Sequence, residues 1–473
     1  MKKLLVLLAA FVLFSNYSFS QNKLDGSYKG AIIVMGMNLD VVVNFKTEND
    51  SYEGIIDLQG VKGLKLTEIK YEHPAISFVL PNPNEKNNAY FDGTVYADSI
   101  SGTFKQSTVT GTFFLVPYKE TADTTRKVEL PYKEEEVTFK NGDNTFSGTL
   151  TIPFNEGKHP AVIMITGSGP QDRNEEILGF KIFGIIADYF TRNGIAVLRY
   201  DDRNVNKSKG TDVNQSTTED FAYDVIEAVK FLKTRNDINP EQIGLYGHSE
   251  GGIVGPLAAS KNSDIAFVIM MAGTGVKGGD IIVEQSSAMM KANGETDSNI
   301  NASIDYTKRI ISTIVNNGDL VQLQKDLKEE FLKGFDEIPE ETKKTITDKE
   351  EYAQQRAEGT IAMFSSPWMK FFLDYDPYPA LLKVKCPVLA LFGELDLQVL
   401  PSQNEPPVKE ALTKSGNPDF TVKIFPKANH LFQTATNGSP KEYGTLKKEF
   451  VEGYLEYVTD WIIKRVTIQD KKF

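Results

Sequence analysis

Apolar residues follow two different spacings along this chain. Between residues 24 and 117 apolar and polar positions alternate, as at Val41, Val43 and Phe45, and a period of two is typical of strands with one buried face. Glycines followed by threonine also recur every nine residues, at positions 93, 102 and 111. The pattern predicts a small all-β domain, residues 21–117, built as an antiparallel meander.

A polar stretch at residues 118–127 predicts a linker to a second domain, residues 128–473. That domain opens with a predicted hairpin formed by residues 137–139 and 148–152. Further apolar strands are predicted at residues 161–165, 196–200, 243–246, 267–271, 388–392 and 422–425. Because these strands alternate with helical patterns, we predict an α/β fold with a mostly parallel, doubly wound sheet.

Two helical segments complete this picture. Residues 216–219, STTE, predict a capping box in front of a helix with one apolar face. Residues 276–368 carry charged helical sequence without a convincing strand, and an unstructured loop of that length is unusual in a compact domain. We therefore predict a helical insertion that covers the carboxyl edge of the sheet as a cap. A helical decoration to one side is the alternative.

The first twenty residues have the pattern of a secretory signal peptide. Lys2 and Lys3 precede an apolar run at residues 4–14, and small residues at 18 and 20 offer a cleavage site before Gln21. The run is shorter than the roughly 20 apolar residues that a membrane span requires. We expect an exported protein, periplasmic or extracellular, with no membrane span.

The composition of the chain argues against several classes of binding partner and cofactor. Removal of the two N-terminal lysines takes the formal net charge from -12 to -14, which argues against nucleic-acid or anionic-membrane partners. The single cysteine, Cys386, rules out an internal disulfide and is expected to be a buried structural thiol. The sequence has no zinc-type ligand cluster and no phosphate or dinucleotide loop after its first parallel strand. We expect neither a metal nor a cofactor.

A candidate nucleophile follows the predicted strand at residues 243–246. Residues 247–252 are GHSEGG, so Ser249 fits the G-x-S-x-G nucleophile elbow, and an ordinary tight turn is the alternative. The glycines leave room for a sharp strand-to-helix turn. Such a turn points the next backbone N–H, that of Glu250, at the space above the serine. A second oxyanion donor is predicted at Ser168, in a glycine-rich loop after an earlier strand.

An activated serine needs a base, and the chain has four histidines. His73 precedes a proline in the β domain and is expected at the surface. His159 enters a strand at its amino end, a strand length from the serine, and His248 adjoins the serine but would point away from it. Elimination leaves His430, in the loop after the last predicted strand, as the base.

The base in turn needs an orienting acid. Asp396 follows the predicted strand at residues 388–392 and is the predicted acid, with Glu394 as its competitor. The resulting order of Ser249, Asp396 and His430 along the chain is the one expected of an α/β-hydrolase fold.

Five motifs together resemble the secreted bacterial α/β-hydrolase esterases of the EstD type. The motifs are TGSGPQDRN at 166–174, YDDR at 200–203, GHSEGG at 247–252, YDP at 375–377 and GELDLQV at 393–399. The resemblance extends from residue 128 to the C-terminus. It implies a carboxylesterase for short acyl chains, with a small β domain in front and a triad at Ser249, Asp396 and His430.

One motif departs from that family. Asn204 and Asn206 stand where such proteins usually have glycine after the Asp-Asp-Arg sequence. Asparagine tolerates left-handed backbone better than most residues, so we expect the turn to be kept.

The sequence thus predicts a serine hydrolase that cleaves small-molecule esters through an acyl-enzyme. A thioesterase or acyltransferase would use the same triad. A serine peptidase of the prolyl type gates its site with a propeller, which about 90 residues of β sequence cannot build. A different class of function, binding of a glycan or cell-wall polymer by the β domain, also stays open.

Overall fold

The structure, a computed structural model, describes most of the chain. It covers residues 24–34, 37–48, 51–58, 61–82, 87–96, 99–106, 109–118, 130–337, 343, 346 and 348–469. The predicted signal peptide and residues 119–127 of the predicted linker lie outside these described ranges. No helix within them is long and apolar enough to cross a membrane.

The N-terminal part is all-β, as the alternating pattern predicts. Among the described residues its strands are β1 (Gly26–Val34), β2 (Met37–Glu48), β3 (Ser51–Leu58), β4 (Val61–Lys65), β5 (Thr67–Glu72), β6 (Ala75–Leu80), β7 (Ala89–Val95), β8 (Ile100–Gln106) and β9 (Val109–Tyr118). They form one antiparallel sheet in the order β4-β3-β2-β1-β9-β8-β7-β6-β5.

This sheet curls around its own apolar core. Leu66, between β4 and β5, donates its N–H to the carbonyl of Gly54 in β3 at 2.8 Å, so the two ends of the sheet meet. The alternating residues Val41, Val43 and Phe45 are buried inside, which confirms the predicted period of two. His73 is exposed, as expected of a turn residue.

The second part contains a mixed eight-stranded sheet in the order β10-β11-β15-β12-β16-β17-β18-β19. The strands of this part are β10 (Tyr132–Asn141), β11 (Asn144–Pro153), β12 (His159–Ile165), β13 (Glu176–Ile177), β14 (Phe180–Lys181), β15 (Ala196–Tyr200), β16 (Ile238–His248), β17 (Phe267–Met271), β18 (Val388–Gly393) and β19 (Phe420–Phe425). Strands β10 and β11 form the predicted hairpin, and the six neighbouring strands β15, β12, β16, β17, β18 and β19 pair in parallel in that order. Strands β13 and β14 form a separate small ribbon.

Helices cover this sheet. They are α1 (Ile182–Arg192), α2 (Thr218–Lys233), α3 (Gly251–Lys261), α4 (Gly278–Ala292), α5 (Asp297–Val315), α6 (Leu320–Lys333), α7 (Lys349–Phe364), α8 (Pro367–Asp374), α9 (Tyr378–Leu381), α10 (Pro401–Lys414) and α11 (Tyr454–Gln469). Tyr246 of β16 packs against Phe183 and Phe190 of α1. The side chains of Leu245 and Val268 instead lie beside Gly255 of α3, so helices pack on both faces of the sheet. The doubly wound fold is confirmed.

The capping box lies one residue later than the sequence predicts. Thr217, not Ser216, caps α2: its side chain accepts the N–H of Asp220, whose carboxylate accepts the N–H of Thr217. Ser216 is used elsewhere, because its hydroxyl donates to the Asp212 carbonyl and accepts from the buried Arg203 guanidinium. The predicted register is wrong because the Ser216 hydroxyl bonds Asp212 and Arg203 instead of capping α2.

The segment between β17 and β18 is largely helical, as its charged pattern predicts. Helices α4 to α7 lie within residues 276–368, and α8 starts there but runs on to Asp374. A small apolar cluster of their own holds these helices together; among its members are Ile310, Ile314, Leu327 and Phe364.

Candidate active site

Ser249 lies on a strained turn between β16 and α3. Its φ is +53°, a left-handed conformation that costs a residue with a side chain about 1–3 kcal/mol. Its N–H donates to the carbonyl of Met271 at 2.8 Å, and its carbonyl accepts the N–H of Gly252 at 2.9 Å. The strand-to-helix turn predicted from the G-x-S-x-G pattern is confirmed.

Backbone crowding explains the glycines of this turn. A Cβ on Gly247 would lie 1.9 Å from the carbonyl oxygen of Gly251, and a Cβ on Gly251 would lie 2.1 Å from that of Ile165. Both distances are far below van der Waals contact, and both neighbours are backbone atoms that cannot rotate away.

We therefore expect Gly247→Ala to lower the free energy of unfolding by about 3 kcal/mol or more, since an overpacked methyl must move the backbone. Chemical denaturation measures the change. Gly359→Ala is the matched control, because Gly359 lies within α7 with nothing within 4 Å of its would-be Cβ, and should raise stability by roughly 1 kcal/mol. A Gly247→Ala protein as stable as the wild type would contradict the crowding argument.

The loops after β18 and β19 bring Asp396 and His430 together. Nδ1 of His430 lies 2.8 Å from Oδ2 of Asp396, and both side chains are buried. The other oxygen of Asp396 accepts the N–H groups of Gln398 and Val399. Glu394 is exposed and accepts the N–H of Lys427. The structure therefore pairs Asp396, and not Glu394, with His430.

The glycine-rich loop after β12 passes beside Ser249. A Cβ on Gly167 would lie only 3.3 Å from Cβ of Ser249. Within the described part of the chain, the backbone N–H groups of Ser168 and Glu250 make no hydrogen bond to another protein group. Both predicted oxyanion donors are thus on elements adjacent to the serine.

The side chain of Glu250 ties the elbow to the helical insertion. Its carboxylate accepts a hydrogen bond from Thr218 at 2.7 Å and one from the indole N–H of Trp368, which lies 3.1 Å from each oxygen. Burial raises the pKa of Glu250, and hydrogen bonds from Thr218, Trp368 and Ser168 act against that rise. Because Trp368 belongs to α8, the insertion reaches the residue next to Ser249.

The site also contains a buried carboxylate that the sequence does not predict. Glu175 is 1 % exposed, and its Oε1 accepts the N–H of Gly167 at 2.7 Å and lies 2.8 Å from Nδ1 of His248. Nε2 of His248 lies 3.1 Å from the carbonyl oxygen of His430. The signal was present, since the motif at 166–174 ends directly before Glu175, but spacing along the chain does not reveal a contact with His248.

The asparagines that replace family glycines occupy left-handed backbone, as expected. The φ angles of Asn204 and Asn206 are +59° and +48°. The Asn206 amide also donates to Asp201 at 3.1 Å, and Asn204 accepts the N–H of Gly210 at 3.0 Å. The turn is kept and its side chains are bonded within it.

Comparison with known proteins indicates which class of enzyme this chain is similar to. Residues 180–317 match the family described as serine aminopeptidase, S33, and residues 342–456 match the prolyl oligopeptidase family. The chain is 27% identical to the esterase EstD of Thermotoga maritima over 369 aligned residues. The aligned region covers 76% of this chain and 75% of EstD. The fold and these matches identify a serine hydrolase with the α/β-hydrolase fold. Within that class, the chain is similar to an esterase, EstD, over about three quarters of both chains.

Shorter stretches of the chain are similar to a thiohydrolase and to a polyketide transferase. Thiohydrolase aneE of Aspergillus aculeatus is 36% identical over 83 residues, which is 18% of this chain and 26% of that protein. Polyketide transferase grgF of a Penicillium species is 32% identical over 144 residues, 30% of this chain and 45% of that protein. The crystal structure of GrgF aligns with 71% of this chain and 99% of its own at 19% identity, with a TM-score of 0.43.

Proposed function

We propose that this esterase hydrolyses short-chain acyl esters with Ser249 as nucleophile, His430 as base and Asp396 as orienting acid. One observation carries the proposal: the strained turn at Ser249 lies beside the buried His430–Asp396 pair. The His430 ring is 4.8 Å, between centroids, from the ring of His248, the residue before the serine.

In the proposed reaction, His430 takes the hydroxyl proton as Ser249 attacks the ester carbonyl. Asp396 accepts the Nδ1–H of His430, which leaves Nε2 free to act as base, and stabilises the imidazolium that forms. The N–H groups of Glu250 and Ser168 hold the oxyanion. His430 then protonates the departing alcohol, and water, activated in the same way, releases the acid from Ser249.

A large aromatic side chain of α8, Trp368, supports the proposed preference for short acyl chains. Trp368 is half-buried, its indole is bonded to Glu250, and its ring stacks on that of Phe372 with centroids 5.9 Å apart. A large ring fixed next to the elbow leaves less room for a long chain. Met289, Met290 and Phe371 are further candidates for the acyl pocket.

Thioester hydrolysis is a second candidate, favoured by the local similarity to a thiohydrolase. The same triad attacks an oxygen ester and a thioester at the same carbonyl carbon, so the alcohol or thiol that leaves would decide between them. Rates on matched oxygen esters and thioesters of one acyl group distinguish the two candidates.

Labelling with a fluorophosphonate tests the assignment, because this reagent phosphonylates activated serines. We expect one phosphonyl group per chain, located on Ser249 by peptide mass spectrometry. Hydrolysis of p-nitrophenyl acetate and butyrate should fall in proportion to labelling, and the unlabelled enzyme should act more slowly on octanoyl and longer esters. Labelling of a different serine, or hydrolysis that persists after complete labelling, would contradict the proposal.

A further inference from the structure

The contacts of His248 fix where its protons lie. A carbonyl oxygen can only accept, so Nε2 of His248 must carry a hydrogen to bond the His430 carbonyl at 3.1 Å. Nδ1 lies 2.8 Å from a carboxylate oxygen of Glu175, and two bare acceptors at that distance would repel. The pair therefore also holds a proton between Nδ1 and Oε1. Burial opposes a charge on His248, but Glu175 outweighs it and raises the pKa of His248.

The Glu175 carboxylate joins this pair to the loop that passes beside the serine. The same oxygen, Oε1, accepts the N–H of Gly167 at 2.7 Å and faces His248. The second oxygen is buried without a hydrogen-bond partner among the described residues. The carboxylate is therefore oriented by Gly167 and His248 together, and it fixes the loop before Ser168 relative to the elbow.

We propose that Glu175 and His248 are positioning residues: they hold the backbone of His430 and the loop of Gly167 against Ser249. The proposal rests on the proposed role of His430 as base. It adds a second carboxylate–histidine pair, which acts on the main chain of His430 while Asp396 acts on its ring. Three loops, those after β12, β16 and β19, are joined through the side chains of two buried residues.

Charge balance explains why a carboxylate accompanies His248. The ring centroids of His248 and His430 are 4.8 Å apart. A His248 imidazolium without a carboxylate partner would therefore oppose the positive charge that His430 acquires when it takes the serine proton. Glu175 makes the pair neutral overall. His248 can therefore donate to the His430 carbonyl without making His430 a weaker base.

Two substitutions of His248 separate its two contacts. Asparagine places its amide near the position of Nδ1 and keeps a donor for Glu175, whereas glutamine reaches the position of Nε2 and keeps a donor for the His430 carbonyl. We expect His248→Asn to lower kcat by roughly 10- to 100-fold with KM changed less than about twofold, because misplacing a catalytic group by an ångström costs about that much. Fluorophosphonate labelling of Ser249 should slow by the same factor. His248→Gln should retain at least several times the activity of His248→Asn.

His159→Asn is the matched control, since His159 is also buried but lies at the amino end of β12, and its kcat should equal that of the wild type. Should His248→Asn fold poorly, Glu175→Gln serves instead, because an amide cannot both accept from Gly167 and donate to a neutral His248 through one atom. We expect kcat to be about tenfold lower in Glu175→Gln. The neighbouring control, Glu176→Gln, should keep the kcat of the wild type.

Wild-type kcat in His248→Asn, or equal losses in His248→Asn and His248→Gln, would overturn the positioning role. These outcomes differ from failure of the proposed function itself. If the triad assignment were wrong, the wild-type enzyme would not be labelled at Ser249, whatever the variants do.

Discussion

Ser249→Ala is expected to lower kcat for p-nitrophenyl butyrate by roughly 10⁶-fold, the loss typical of removing a serine nucleophile. No other group would be placed to form the acyl-enzyme, and the remaining oxyanion donors and substrate binding would leave an acceleration of only about 10³- to 10⁴-fold over water. The backbone at position 249 keeps its left-handed φ with either residue, because the hydrogen bonds from the Ser249 N–H to Met271 and from Gly252 to the Ser249 carbonyl involve main-chain atoms. The thermal midpoint should therefore change little. Steady-state kinetics and thermal unfolding measure the two quantities.

Ser260→Ala is the control for loss of a serine hydroxyl on the helix that follows the elbow. Ser260 lies near the end of α3 and donates its hydroxyl to the carbonyl of Leu257 at 2.7 Å, one turn earlier in the same helix. Its kcat should equal that of the wild type. Substantial turnover by Ser249→Ala would show that another residue attacks the ester.

Local sequence predicts the strands and the elbow because their causes are local. The run at residues 267–271 is buried on both faces of the sheet, so it is continuously apolar and coincides with β17. The elbow is also predictable from local sequence, because the close approach of the backbone leaves room only for glycine at positions 247 and 251. Asp396 and His430 were also predictable, because parallel strands bring the loops at their carboxyl ends to one edge of the sheet.

Contacts between distant loops could not be predicted in the same way. Glu175 and His248 are 73 positions apart and Glu250 and Trp368 are 118 apart, and no periodicity connects them. The sequence predicts only that His248 points away from the serine. Its hydrogen bonds depend on where the loops after β12 and β19 lie. The misplaced capping box also has a cause outside the helix, because Arg203, 13 positions before Ser216, bonds the Ser216 hydroxyl.

Asp396→Asn should lower kcat by roughly 10⁴-fold, as expected when the orienting acid of a triad becomes an amide. The asparagine oxygen can still accept the N–H groups of Gln398 and Val399, which bond Oδ1 of the aspartate at 2.7 and 2.9 Å. The amide nitrogen then faces Nδ1 of His430 and donates to it, which forces the imidazole hydrogen onto Nε2. In that tautomer Nε2 is a donor and cannot accept the proton of Ser249. The fold should be retained because the variant keeps its shape and its backbone contacts.

Glu394→Gln tests the rival acid in the same loop. Glu394 is exposed, and its contact with the N–H of Lys427 at 2.8 Å can be made by an amide oxygen as well, so kcat should stay near the wild-type value. Measuring kcat for both variants on one ester separates the two carboxylates. A large loss in Glu394→Gln with a small one in Asp396→Asn would transfer the orienting role to Glu394. The expected opposite result follows from geometry, because only Asp396 is buried against the imidazole whose tautomer it must fix.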